Sequence, residues 1–189
     1  MLEPEQESNF KMGKYKDNLK EAMEMLSADP RTIFLGQAVE DPGTAMRSTL
    51  ETIEKGKLLE MPVEEDLQMG ISIGIALAGG LPITIFPRWN FLLLATNQVV
   101  NHLDKLSELT QLASPPKVII RTGIGSISPL NPGPQHRGDF TRAFKDLCSN
   151  IDVIRLDNSD IILPVYEYAL NRKDGKSSLI IEWSDKYNE

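Results

Sequence analysis

The chain has 189 residues, with 41% hydrophobic and 25% charged content and 27 acidic against 20 basic side chains, for a net charge of −7. That balance suits one globular domain with a proper core. It excludes wholesale disorder and disfavours nucleic acid as a partner, because phosphate contacts need a basic footprint. A single cysteine, Cys148, excludes an intrachain disulfide. The start of the chain is acidic and polar rather than basic and then apolar, and no apolar run reaches the length of a membrane span. A cytoplasmic setting with no membrane partner is therefore expected.

Residues 1–12 read as a loose extension, and residues 13–189 as a single domain. "KDNLKEAMEMLSADP" spaces Leu19, Ala22, Met23 and Leu26 at helical intervals, and Asp29-Pro30 stops the helix. "RTIFLGQAV" is a strand, followed by the turn "EDPG". The segment carrying Leu50, Ile53 and Leu58 has no clear period and is left partly irregular. Residues 66–79 form a helix that is apolar nearly all round, and are expected to be deeply buried. Its small residues Gly70, Ser72, Gly74, Ala76 and Ala78 would let another backbone approach. "LPITIF" is a strand, and residues 91–112 are expected as one long helix. "KVIIRT" reads as a strand covered on both faces.

A glycine- and proline-rich loop, "GIGSISPLNPGPQHRGD", leads to Asp139, a good cap for the helix "FTRAFKDLCSNI". Cys148 is placed near that helix's inner face as a core thiol. "DVIRLD" is a strand, "NSDIILPVYEYALNRKDG" a helix, and "SSLIIEW" the last strand. This alternation predicts an α/β fold with a mainly parallel central sheet of about six strands and helices on both faces.

In open α/β sheets, ligands bind beyond the carboxyl ends of the strands. Three segments there could converge: Glu64-Glu65 before the apolar helix, "PRWNF" after "ITIF", and the loop carrying His136 and Arg137. Each has an ordinary alternative. Glu65 can serve only the helix N-terminus, Trp89 and Phe91 can be core, and His136 can be solvated. "GIG" lacks the spacing of a dinucleotide fingerprint, and no Cys/His metal cluster stands out.

The stretch "MPVEEDLQMGISIGIALAGGLPITIFPRWNF" resembles the β subunits of the 2-oxoacid dehydrogenase first components. More distantly, it is similar to the middle domain of transketolase. Both are pyrimidine-binding domains of thiamine diphosphate enzymes. The frame runs from Met61 to Phe91, continues through "NQVVN", and resumes at "IIRTGIG" and "PQHRGDF". The resemblance implies a thiamine diphosphate-binding fold of pyrimidine-domain type. It implies that Glu65, rather than Glu64, hydrogen-bonds a ring nitrogen of the aminopyrimidine, in the dry surroundings that proton sharing needs. It implies Phe91 as the ring stacked on the pyrimidine and His136 as a catalytic group. Trp89, in a Pro87-Arg88-Trp89 set that replaces a more apolar one, is a further cofactor-binding candidate.

Arg88 and Arg137 depart from the family pattern and are candidates for binding a carboxylate or phosphate on a keto or sugar substrate. The family's diphosphate motif, G-D-G followed by an Asn, is not recognisable here. A separate subunit carrying G-D-G…N is therefore expected to hold Mg²⁺ and the diphosphate, with the cofactor across the interface and two such pairs in a heterotetramer. No metal ligand is assigned to this chain. The expected function is that of the pyrimidine-binding subunit of a split, transketolase-like enzyme. Ketol or acyl transfer and 2-oxoacid decarboxylation with carboligation are both open. The alternative is a regulatory or scaffolding subunit that keeps the fold. A flavodoxin-like nucleotide module would need a phosphate loop that is not seen.

Overall fold

A computed structural model describes residues 15–110, 116–128 and 130–188. The extension expected over residues 1–12 and the tail of the helix expected over 91–112 lie outside the described residues.

Six strands make one sheet: β1 (Thr32–Gly36), β2 (Leu58–Glu60), β3 (Leu81–Phe86), β4 (Ile119–Ile124), β5 (Ile151–Arg155) and β6 (Ser177–Trp183). Their order is β2-β1-β3-β4-β6-β5, and every pairing is parallel. β3 and β4 are buried along their whole length, as central strands covered on both faces must be.

Alternation along the strands feeds two cores. Ile83, Ile85, Ile119 and Ile180 face a cluster completed by helices α1 (Tyr15–Ser27) and α6 (Ile162–Asn171). Phe86, Ile120, Leu179 and Ile181 face a second cluster. There the cover comes from α2 (Glu65–Leu77), the helical stretch beginning with α3 (Trp89–Leu92), and α5 (Thr141–Leu147). The expected architecture, helices on both faces of a parallel sheet, is the one observed.

Four local expectations differ. β2 went unrecognised, because three residues at a sheet edge are too short to show a period. The long helix is not uniform. It runs from α3 through a 3₁₀ turn and the π-helical stretch Gln98–Leu103 to α4 (Leu106–Thr110). α5 stops at Leu147 rather than running to residue 151, because the buried Asp104 carboxylate accepts the backbone amides of Ser149 (2.9 Å) and Asn150 (2.7 Å). Burial alone would raise that carboxyl's pKa, but Lys105 and the two amides outweigh it and hold it low.

The fourth difference is α2. Gln68, Met69, Ser72, Ile73 and Ala76 face the core. Leu67 and Leu77, each 47% exposed, face outward, and Gly74 is exposed with them. A side-chain carbon built at Gly70 or Gly74 would meet nothing within 4 Å. α2 is therefore half covered rather than deeply buried, and its apolar outer face has no partner among the described residues.

Candidate functional site

A cleft of about 620 Å³ opens at the carboxyl edge of the sheet. Its wall includes Gln37 after β1, Glu60 and Met61 at the end of β2, Pro87 and Arg88 after β3, Ser126 after β4 and Ser184 after β6. A second cavity of about 500 Å³ lies at the opposite edge, among Arg31, Lys117 and Arg172. Three of its cations are already engaged, and the fourth, Lys173, is exposed. Lys117 Nζ donates to the carbonyls of Ala169, Leu170 and Arg172 at the end of α6, Arg31 pairs with Asp29, and Arg172 pairs with Asp152 and Asp174. The carboxyl-edge cleft is therefore the candidate site, as the topology of open parallel sheets favours.

Glu60, which the sequence reading missed, shapes one wall. Its carboxylate accepts the backbone amides of Ala38 (2.5 Å), Val39 (2.8 Å) and Glu40 (2.9 Å), clasping the turn after β1. This clasp lets Ala38 keep a positive φ of 53°. The only sequence signal was an acid next to an apolar pair, "LLE".

Glu65 is the first residue of α2 and 4% exposed. Its carboxylate has no hydrogen-bond partner among the described residues. Met61 and Val63 line the cleft and Glu65 follows them in the chain, but it is not itself part of the cleft lining. Its neighbour Asp66 accepts from Gln98 Nε2 at 3.1 Å, which ties the first turn of α2 to the helical stretch that carries Phe91. Glu64 is the N-cap residue, and no side-chain capping bond is made there. A carboxylate at the first turn of a helix with no side-chain partner among the described residues is open to a ligand or another chain.

Phe91 and Arg88 line the cleft, both partly buried. His136 belongs to a 3₁₀ turn, Pro134–His136, whose path begins at Gly133 with φ of 89°. Its Nδ1 lies 3.0 Å from Asn90 Oδ1, and its ring centroid lies 6.0 Å from that of Phe91. The structure thus brings His136 to the residues that follow β3. Neither His136, half-buried, nor Arg137, exposed, is part of the cleft lining.

Trp89, expected as a second ring for the cofactor, is a core residue instead. It is 1% exposed and packs against Phe140 (centroids 6.2 Å) and Phe144 (5.0 Å). The first turn of α3 points Trp89 inward while Phe91 reaches the cleft.

Beneath the cleft lies a buried polar cluster that was also missed. Arg121 of β4 and Glu182 of β6 are both fully buried and pair through two bonds, of 2.7 and 3.0 Å. Tyr166, Tyr187 and Thr49 complete the cluster: both tyrosine hydroxyls donate to Glu182, and Thr49 Oγ1 accepts from Arg121. Burial, and then the Glu182 charge, push both tyrosine hydroxyls well above their ordinary pKa. Tyr187 also lines the cleft, so the pair supports its floor. The signal was present in the sequence: a charge inside each of two apolar strands, "VIIRT" and "LIIEW", must find a partner.

Among the described residues no helix is long and apolar enough to cross a membrane, and no group of three or more His, Cys, Asp or Glu is placed to hold a metal ion.

The fold and cleft define a parallel α/β domain with a ligand crevice beyond the carboxyl ends of its strands. Residues 14–188 match the family described as the transketolase pyrimidine-binding domain, and the chain belongs to that family. It is 32% identical over 94 residues to a pyruvate dehydrogenase E1 component subunit beta from Staurastrum punctulatum, across 48% of this chain and 28% of that protein. It is 26% identical over 171 residues to the mitochondrial E1 subunit beta of Homo sapiens, across 88% of this chain and 46% of that one. The chain thus spans less than half the length of these curated relatives. Among solved structures, a split-gene transketolase in an inactive β4 tetramer superposes with a TM-score of 0.68 at 13% identity, over 90% of this chain and 51% of that one. This last likeness is one of fold.

Proposed function

We propose that this chain is the pyrimidine-binding subunit of a split thiamine diphosphate-dependent enzyme of transketolase-like type, acting in ketol or acyl transfer or in 2-oxoacid decarboxylation with carboligation. Glu65 carries the reading: it is 4% exposed, its carboxylate makes no hydrogen bond among the described residues, and it starts an apolar helix just after the cleft-lining Met61 and Val63. That environment fits a ring nitrogen that shares a proton with the acid.

Thiamine diphosphate, when bound, supplies the electron sink for making or breaking a bond next to a carbonyl. This chain's residues bind and orient. Glu65 takes the pyrimidine nitrogen and Phe91 offers the ring face. His136 handles a proton on the reacting carbonyl. Arg88, in the cleft wall, and Arg137, on the exposed side of the same loop as His136, bind an anionic group of the keto or sugar substrate.

The diphosphate and its Mg²⁺ belong in this reading to a separate chain carrying G-D-G…N, and two such pairs form a heterotetramer. The open face of α2, with Leu67, Gly70, Gly74 and Leu77, is the candidate packing surface. The neighbouring stretch with Asn97, Gln98, Asn101 and His102 extends it. The names of the relatives, subunits beta and a split-gene transketolase, support this arrangement.

The test is reconstitution with the candidate partner chain. The mixture should bind thiamine diphosphate and Mg²⁺ tightly, the isolated chain poorly. Glu65→Gln should lower turnover by about 100-fold or more while assembly persists. Tight cofactor binding by this chain alone, or an unchanged rate in the Gln variant, would defeat the proposal.

A further inference from the structure

We infer that Asn90 is a positioning residue that fixes which nitrogen of His136 carries the proton. The inference rests on and deepens the proposed reading of His136 as the proton-handling group. Asn90 lies between core-locked Trp89 and cleft-lining Phe91 in the first turn of α3. Its Oδ1 is 3.0 Å from His136 Nδ1. Donor and acceptor in this contact depend on the tautomer. With the carboxamide oxygen as the facing atom, which has lone pairs and no hydrogen, Nδ1 is the donor. The neutral ring then holds its proton on Nδ1 and leaves the lone pair of Nε2 free to accept one.

Both sides of this contact are held. Phe91 packs on the imidazole with the ring planes at 39° and limits its swing. Trp89, next to Asn90, is packed edge-on against Phe140, which follows His136 by four residues. The helix that offers the acceptor and the loop that offers the imidazole therefore meet on the same aromatic cluster. Because Asn90 is an amide, it orients the ring without itself exchanging a proton. Nε2 is left as the nitrogen able to act as base when neutral and as acid when protonated.

The chain has two histidines, His102 and His136, so the imidazole signals of full-length protein labelled with ¹⁵N-histidine are few. His102→Gln assigns them. In mildly alkaline buffer a long-range ¹H–¹⁵N spectrum reports which nitrogen of each neutral ring bears hydrogen. His136 should show its proton on Nδ1. Asn90→Asp, which keeps an acceptor oxygen, should preserve that pattern, and Asn90→Leu should shift it to Nε2, the form preferred by an unconstrained ring. Asn90→Ala substitutes for the leucine variant if that one does not fold. A wild-type ring protonated on Nε2, or a pattern indifferent to loss of the amide, overturns the inference. The spectrum needs no turnover. A failure of the catalytic reading would appear separately, as full activity of His136→Ala in the reconstituted enzyme.

Discussion

Glu65 and Glu182 are both buried carboxylates, and their surroundings are opposite. Glu182 receives Arg121 and two tyrosine hydroxyls, whereas Glu65 has no hydrogen-bonding partner among the described residues. Removing Arg121 would strand a charge in the core, so Arg121→Leu should cost about 3–5 kcal/mol in urea unfolding. Glu65→Gln alters a carboxylate that makes no hydrogen bond among the described residues. Its unfolding midpoint should hold or rise, even as activity of the assembled enzyme is lost. A large loss of stability in the Glu65 variant would show that this acid serves the fold. The pairing of Arg121 with Glu182 was hidden in the sequence because β4 and β6 are distant along the chain, although each charge was visible in its strand. Glu65 and Phe91 could be nominated from one contiguous stretch, Met61 to Phe91, and His136 from a second, "PQHRGDF". The inward turn of Trp89 could not be foreseen, since one helical turn separates core from cleft and spacing alone does not say which side faces in.

At the scale of elements, α2 shows what composition reveals and what it leaves out. An all-round apolar helix announced that it needs cover, but only the three-dimensional arrangement shows that this chain covers one side. Gly74→Ala should stabilise the isolated chain by about 0.5–1 kcal/mol, because the position is helical and its surroundings are open. Gly74→Leu should leave the fold intact and weaken association with other chains, read as the oligomer distribution in light scattering. Unaltered assembly would remove α2 from the interface. α5 gives a second case. Asp104, in the short turn between the π-helical stretch and α4, ends the helix from a segment distant in sequence, which no local pattern discloses, and leaves Cys148 half-buried against the second core. Burial, and then the Asp104 charge, push that thiol up to about 11. Cys148 should therefore react slowly with a disulfide reagent in the native protein and rapidly after unfolding.

For the whole molecule, the same groups set the pH range of stability. The Asp29 and Asp174 carboxyls are held down at about 2, chiefly by hydrogen bonds from Arg31 and Arg172. A depressed folded value means that their contribution is present above the ordinary carboxylate range and is lost as pH falls from about 4 toward 2. Cys148 is raised, so its contribution is present below the ordinary thiol value and is lost as pH climbs from about 9 toward 11. Thermal midpoints across pH should form a plateau that declines at both ends, and Cys148→Ala should soften the alkaline decline. The alternation of strands and helices made this architecture readable in advance, while strand order and the short edge strand depended on pairings that local sequence does not encode.

The all-parallel order also governs how the chain reaches its native state. No two neighbouring strands are joined by a hairpin: β1 waits for Leu81 to meet Thr32, and β4 waits for Ser178 to meet Ile119. Each pairing closes a long loop before it returns any contact energy, so refolding should be slow for the chain's size, with the β4–β6 junction among the last contacts to form. Nascent protein therefore spends its most vulnerable interval with the central strands exposed, which is where chaperone capture would matter most.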